Sequence, residues 1–301
     1  MNFHYLKEWL ADEFVNHKIF YVQNPFDDVL FDARQGPAGA KNLDHLQTYD
    51  LCVFDFSSEH WGDSTHLLNS TCHLVQDILC SQDINCLILS HNPEHHAPNK
   101  GVLYYPYWYL NSVKMFKTLP IIDNKKFVLG CLNANPRPHR IANLHLLKKK
   151  PYWDQCCTSF ASADPMPWRN DDVELNSDEI GFWNNIKNQL PDRQIFNQTN
   201  AIGMQNILPA VTDSYIHLIT ETTVLQNIFL TEKTWRPIGG GQLFLTLGNP
   251  GTMHFLQSQG VDIFSDIIDH NYYDKEPDWR QRLKKLHEIL DDLVNQDLDA
   301  I

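Results

Sequence analysis

The sequence predicts an α/β protein of two lobes, each built on a parallel sheet. Three observations carry this. Short apolar runs alternate with amphipathic helical stretches, a strand–helix–strand unit occurs in each half, and 301 residues is about two domains' worth. In the first half, Leu68, Cys72, Val75 and Leu79 fall on one helical face between the apolar runs 49–56 and 84–89. Short connections between such elements make a βαβ unit, which requires parallel pairing. Two consecutive sets, meeting near residues 118–126, suggest two Rossmann-like lobes with a cleft between them. The expected boundaries are 1–120, 121–275 and a terminal helix over 276–301.

The elements follow in order. Lys18-Ile-Phe-Tyr-Val22 is rich in β-formers and closed by Asn24-Pro25. The second set begins with a strand over 126–132, then a basic helix from His139 to Lys150 and a strand over 153–159. After a polar stretch holding Asp164, Pro165 and Pro167 come a helix over 178–190 and a strand over 214–219. A helix over 231–238, a strand over 242–247 and a helix from about Thr252 complete the lobe. Leu283, Leu286, Ile289, Leu290 and Leu293 mark an amphipathic terminal helix.

Composition narrows the class. Lys+Arg number 24 against Asp+Glu 37, a net charge of −13, which argues against a surface built to coat nucleic acid. No window approaches the roughly 18 apolar residues of a membrane span. The start, Met1-Asn-Phe-His-Tyr-Leu-Lys-Glu, has no apolar h-region. Seven cysteines without framework spacing fit reduced thiols, so a cytoplasmic protein is expected. Cys156-Cys157 reads as two buried thiols.

Two segments carry chemistry. In the first, Phe127-Val-Leu-Gly-Cys-Leu-Asn133-Ala-Asn135-Pro-Arg137-Pro-His139-Arg140, a strand enters a stiff loop at a sheet's carboxyl edge. Arg137 and Arg140 stand where a diphosphate can be clamped, or are solvated loop charges. The second runs from Glu221 through Thr231-Glu232-Lys233-Thr-Trp-Arg236-Pro-Ile to Gly239-Gly-Gly241. Thr231 is a good N-cap, and a helix start suits a phosphate. Lys233 opposes the helix dipole there unless an anion binds it. The glycines allow close approach to a ligand or tight packing on the next strand. A capped surface helix followed by a glycine turn is the plainer alternative.

The pairing of a strand–Asn-x-Asn-Pro loop bearing arginines with Glu…Thr-Glu-Lys–helix–Gly–strand–Gly resembles the donor lobe of GT-B glycosyltransferases, in particular the α1,3-fucosyltransferases. It is more similar still to small viral and bacterial proteins with Thr-Glu-Lys-Thr-(Phe/Trp)-(Lys/Arg)-Pro-Ile, then Gly-Asn-Pro-Gly, as in Gly248-Asn-Pro-Gly251 here. The resemblance covers about residues 125–275. It implies a nucleotide-sugar site formed by Asn133, Arg137, Arg140, Thr231, Glu232 and Lys233. Arg140 and Lys233 would hold the diphosphate, Glu232 the ribose or sugar hydroxyls, and Glu221 would face the donor sugar. Glu221 stands 11 residues before Glu232, and Thr222-Thr223 replaces the Asn-Ser of the fucosyltransferases, so GDP-fucose as donor does not follow.

The activity implied is glycosyl transfer from a nucleoside-diphosphate sugar to a hydroxyl, inverting by analogy. No cofactor is expected, and the expected catalysis is metal-independent: the one Asp-x-Asp, Asp297-Leu-Asp299, lies in a polar tail. The general base is sought in the amino-terminal lobe. Glu94 in Ser90-His-Asn-Pro-Glu94-His-His96 is the first choice, with Glu59 or Asp63 as alternatives. His91, His95 and His96 lack a fourth zinc ligand and read as loop polarity. The aromatic run Leu103 to Leu110 lines an acceptor cleft or packs at the lobe boundary. The acceptor is a glycan or, for a virus-encoded enzyme, a hydroxymethylated DNA base reached past Lys148–Lys150 and Arg280–Lys285. A non-catalytic nucleotide-sugar-binding protein is the third alternative.

Overall fold

The computed structural model describes residues 16–23, 43–56, 79, 83–90, 102–104, 125–133, 136–160, 173–187, 211–225, 228–296 and 298. The chain divides into two compact units, Met1–Tyr107 and Trp108–Ile301. Both contain parallel sheets, an α/β arrangement compatible with a Rossmann-like fold.

In the first unit β1 (Ile19–Gln23), β2 (Leu51–Phe56), β3 (Cys86–Ser90) and β4 (Val102–Tyr104) lie side by side in chain order. Every pairing is parallel, with Val53 opposite Leu87 and Ile88 opposite Val102. Cys52, Val53 and Phe54 are consecutive and all buried. That is the continuous apolar run of a strand covered on both faces. Leu79 is helical and buried, the one described residue of the helix expected over 68–79. β4 was not anticipated: its residues open the aromatic run, and backbone pairing with β3 makes them a strand.

In the second unit β5 (Phe127–Asn133), α1 (Pro138–Leu147), β6 (Cys156–Phe160), α2 (Ser177–Ile186), β7 (Ser214–Thr220), α3 (Glu232–Gly239), β8 (Leu243–Leu247), α4 (Thr252–Ser258) and α5 (Trp279–Val294) follow one another. The sheet order is β6-β5-β7-β8, again parallel throughout. The chain leaves β5 toward β6 on one side and leaves β7 toward β8 on the other. The gap between β5 and β7 is therefore a topological switch point, and ligands of such sheets sit beyond the carboxyl ends there. Gly130 lets these two strands close up, since a Cβ on it would stand 2.8 Å from Ser214 Oγ. The strand expected from Trp153 begins at Cys156. Residues Trp153–Gln155 instead form a 3-10 turn, with polar Asp154 and Gln155 exposed before the strand begins.

The terminal helix α5 belongs to this second unit. Leu283, Leu286, Leu290 and Leu293 enter the same core as Leu218 and Leu245 of the sheet. Polar clamps fix it further: Arg280 makes a two-pronged contact with Glu179 of α2, and Asp291 accepts from Tyr152 and pairs with Lys150. Cys157 is buried; Cys156, half-buried, donates to the Tyr152 carbonyl, so the two thiols differ in exposure.

Candidate functional site

The carboxyl ends of β5 and β7 are tied directly: the Thr220 hydroxyl donates to Asn133 Oδ1, and both residues are buried. Asn133 is therefore committed to the strand ends, its amide also reaching Cys131 Sγ at 3.5 Å. Beyond Asn133, Arg137 takes extended backbone as the N-cap of α1, and Pro138 fills the first helical position. That is the place where a missing N–H costs least. No side chain caps this helix start, and its first turn holds no acidic residue.

Beyond Thr220 comes Glu221, fully buried. Its main-chain carbonyl accepts from His139 Nε2 at 2.8 Å and Arg140 Nη2 at 3.1 Å. A carbonyl only accepts, so the His139 proton sits on Nε2. Burial and the Arg140 charge beside it hold His139 well below its ordinary range, in the neutral form. Arg140 is itself buried, and burial with the Arg137 charge pushes its guanidinium down to about 10.

The Glu221 carboxylate faces the other way, into the start of α3. Oε1 accepts from the Thr231 amide at 2.9 Å and the Thr234 hydroxyl at 2.6 Å. Oε2 accepts from the Thr231 hydroxyl at 2.7 Å and the Thr222 amide at 3.3 Å. Thr231 caps α3 as its sequence predicts, accepting from the Lys233 amide. Its hydroxyl also accepts from Lys233 Nζ at 2.6 Å. The ammonium stands 3.7 Å from Glu221 and 3.6 Å from Glu232, at ion-pair rather than hydrogen-bond range. Burial lowers the Lys233 affinity for its proton, and Glu232 and Glu221 offset part of that.

Glu232 lies between two cations, with Arg236 3.7 Å away on the other side. Burial acts to raise its carboxyl, but Lys233 and Arg236 outweigh it and hold the group below the ordinary carboxylate range. Arg236 Nε is buried with no hydrogen-bond partner among the described residues. Four cations, Arg137, Arg140, Lys233 and Arg236, thus share this strand edge with two carboxylates.

Of the residues singled out from sequence, the structure brings Asn133, Arg140, Glu221, Thr231, Glu232 and Lys233 into one hydrogen-bonded and ion-paired group. Arg137 stands close enough to bear on His139 and Arg140. The Glu221 carboxylate, which the resemblance implies faces the donor sugar, takes four protein donors from Thr222, Thr231 and Thr234. Glu94, Glu59, Asp63, Asn135, the histidines 91, 95 and 96, and Asp297 and Asp299 lie outside the described residues. Sequence reasoning missed His139, Thr220 and Thr234. Thr234 had a signal, one helical turn from the N-cap; the other two became legible only with the strand order. Gly239 to Gly241 finish α3: the Gly240 and Gln242 amides close its last turn, and Gly241 takes φ +62°.

Among the described residues no group of three His, Cys, Asp or Glu is placed to hold a metal ion, and no helix is long and apolar enough to cross a membrane. No protein-family model matches the chain, and no curated protein matches it.

Proposed function

We propose that the chain is a GT-B-type glycosyltransferase whose second unit binds a nucleoside-diphosphate sugar and transfers the sugar to a hydroxyl acceptor. One observation supports this most. Arg140 and Lys233, 93 residues apart, are held by the same residue at the β5/β7 switch point. Such points bind phosphate-bearing ligands in doubly wound sheets, and helix starts favour the anion.

In this reading the acceptor oxygen attacks the anomeric carbon, and the bond from that carbon to the diphosphate oxygen breaks. The electron pair leaves with the nucleoside diphosphate, and the acceptor proton passes to a base, for which Glu94 is the candidate. The protein's part at the leaving group is electrostatic. Arg137, Lys233 and Arg236 meet the charge that grows on the diphosphate, with Arg140 behind them, and Glu232 accepts from sugar or ribose hydroxyls. A hydroxyl on a glycan or small molecule suits the chain better than one on DNA. Lys150, Arg280 and Lys285, which a duplex would need, are paired with Asp291, Glu179 and Glu276.

The test is a thermal-shift panel of UDP, GDP, dTDP and CMP with their sugars, with and without EDTA. A nucleotide at a hundred times its Kd adds about 2.7 kcal/mol. A shift with one diphosphate supports the donor site, and no shift with any of them overturns it. Lys233→Ala should cut transfer at least about a hundredfold with Tm within about 5 °C. Normal turnover in that variant would remove Lys233 from the site.

A further inference from the structure

Glu221 offers two different acceptors to two different helix starts. Its carbonyl takes His139 and Arg140 from α1, and its carboxylate takes Thr231 and Thr234 from α3. The hydrogen-bond directions on the α3 side are fixed by chemistry. Lys233 has only donors, so Nζ donates to Thr231 Oγ1; the carboxylate has only acceptors, so the Thr231 hydroxyl donates to Glu221 Oε2. The result is a one-way chain, ammonium to hydroxyl to carboxylate, running from the half-buried Lys233 to the fully buried Glu221. The two links are 2.6 and 2.7 Å.

We infer that Glu221 is a positioning residue of this site: acting through Thr231, its carboxylate holds the Lys233 ammonium in place and charged, while its carbonyl separately fixes Arg140. The inference rests on the donor-site reading for its functional meaning. The groups facing Lys233 are Glu221 at the end of β7, Glu232 and Arg236 on α3, and Arg140 and His139 on α1. Arg140 and Arg236 oppose its charge, and Glu221 and Glu232 support it. Glu221 is the supporting member that burial keeps out of water, where a charge acts at its strongest. A glutamine cannot replace it. Its NH2 would face a backbone amide donor in either orientation, that of Thr231 or that of Thr222, and the negative charge beside Lys233 would be lost.

The experiment is an NMR titration of lysine-labelled full chain, with the Lys233 signal assigned by Lys233→Arg. Diphosphate binding by UDP, GDP and dTDP is followed over the same pH range. In Glu221→Gln the Lys233 midpoint should fall by about one pH unit. Affinity for the bound diphosphate should fall about tenfold at neutral pH, with its alkaline limb moved to the same lower pH. Thr231→Val should behave the same way, and Thr231→Ser should restore the wild-type profile. An unchanged Lys233 midpoint in Glu221→Gln overturns the inference; if that variant does not fold, an unchanged midpoint in Thr231→Val overturns it instead. A wild-type chain that binds no diphosphate defeats the donor reading, while the titration still decides whether Glu221 holds Lys233.

Discussion

Two helices of the second unit follow strands of the same sheet, and their starts are finished in opposite ways. At α4, after β8, the Asp274 carboxylate accepts from the Met253 and His254 amides at 2.9 and 3.1 Å. The protein supplies its own anion there. At α1, after β5, the N-cap is Arg137, no side chain caps the helix, and arginines replace the acid. Both helix starts need negative charge for the same dipolar reason. Of the two, only α4 receives a carboxylate among the described residues, whereas α1 lies beside the β5/β7 switch point with cations around it. In the donor-site reading proposed above, the difference separates a helix start closed by the protein's own carboxylate from one left to the anion of a ligand.

Acid separates the two starts most strongly. His139 is held well below its ordinary value of 6.5, and burial pushes His217 to about 4 and His287 to about 3. For such groups the unfolded chain takes up protons first. Their stabilisation is complete above pH 6.5 and is lost as pH falls toward the folded values. From pH 6.5 to about 5, His217 and His287 should each cost about 2 kcal/mol, read as a fall in the urea midpoint, and His139 adds in the same direction. Asp274 has the opposite sign: burial raises its carboxyl above the ordinary value of 3.8, so protonating it favours the folded chain. Substituting His139 by Gln should remove its share of the acid lability. An equal pH slope in that variant would break the contrast.

Asp274→Ala should cost about 2–3 kcal/mol, because two buried amides lose a charged acceptor. Its diphosphate affinity should stay unchanged once folded; weakened binding would mean that the two starts are coupled. Arg137→Glu makes the α1 start resemble the α4 start. It should leave stability unchanged or raise it by about 0.5 kcal/mol while weakening diphosphate binding about tenfold. Unaltered binding would place the anion elsewhere.

Most of the fold was legible in the sequence because each element has a local cause. β7 is an apolar β-forming run, Thr231 caps α3, and the leucines of α5 repeat at helical spacing. What was not legible depends on partners distant in the chain. Val102–Tyr104 becomes a strand only by pairing with β3, and Asn133 acquires its role only because strand order puts it beside Thr220. Lys233 could be placed at a helix start from sequence, but that its counter-charge is the buried Glu221 could not. An acidic residue ahead of a cap is as easily a ligand contact as a brace, and its four protein donors come from residues that only the fold brings together.

Because Arg140 is bound to the main chain of Glu221 and Lys233 to its side chain, the two arms of the cluster answer differently to sequence drift. Any residue at position 221 brings a carbonyl, so the arginine arm survives replacement there. The lysine arm does not, since among side chains of this reach only an acid both accepts from the Thr231 hydroxyl and brings a charge to Lys233. A single codon thus controls one half of the site while leaving the other half untouched. Position 221 is a place where one arm can be retuned without rebuilding both.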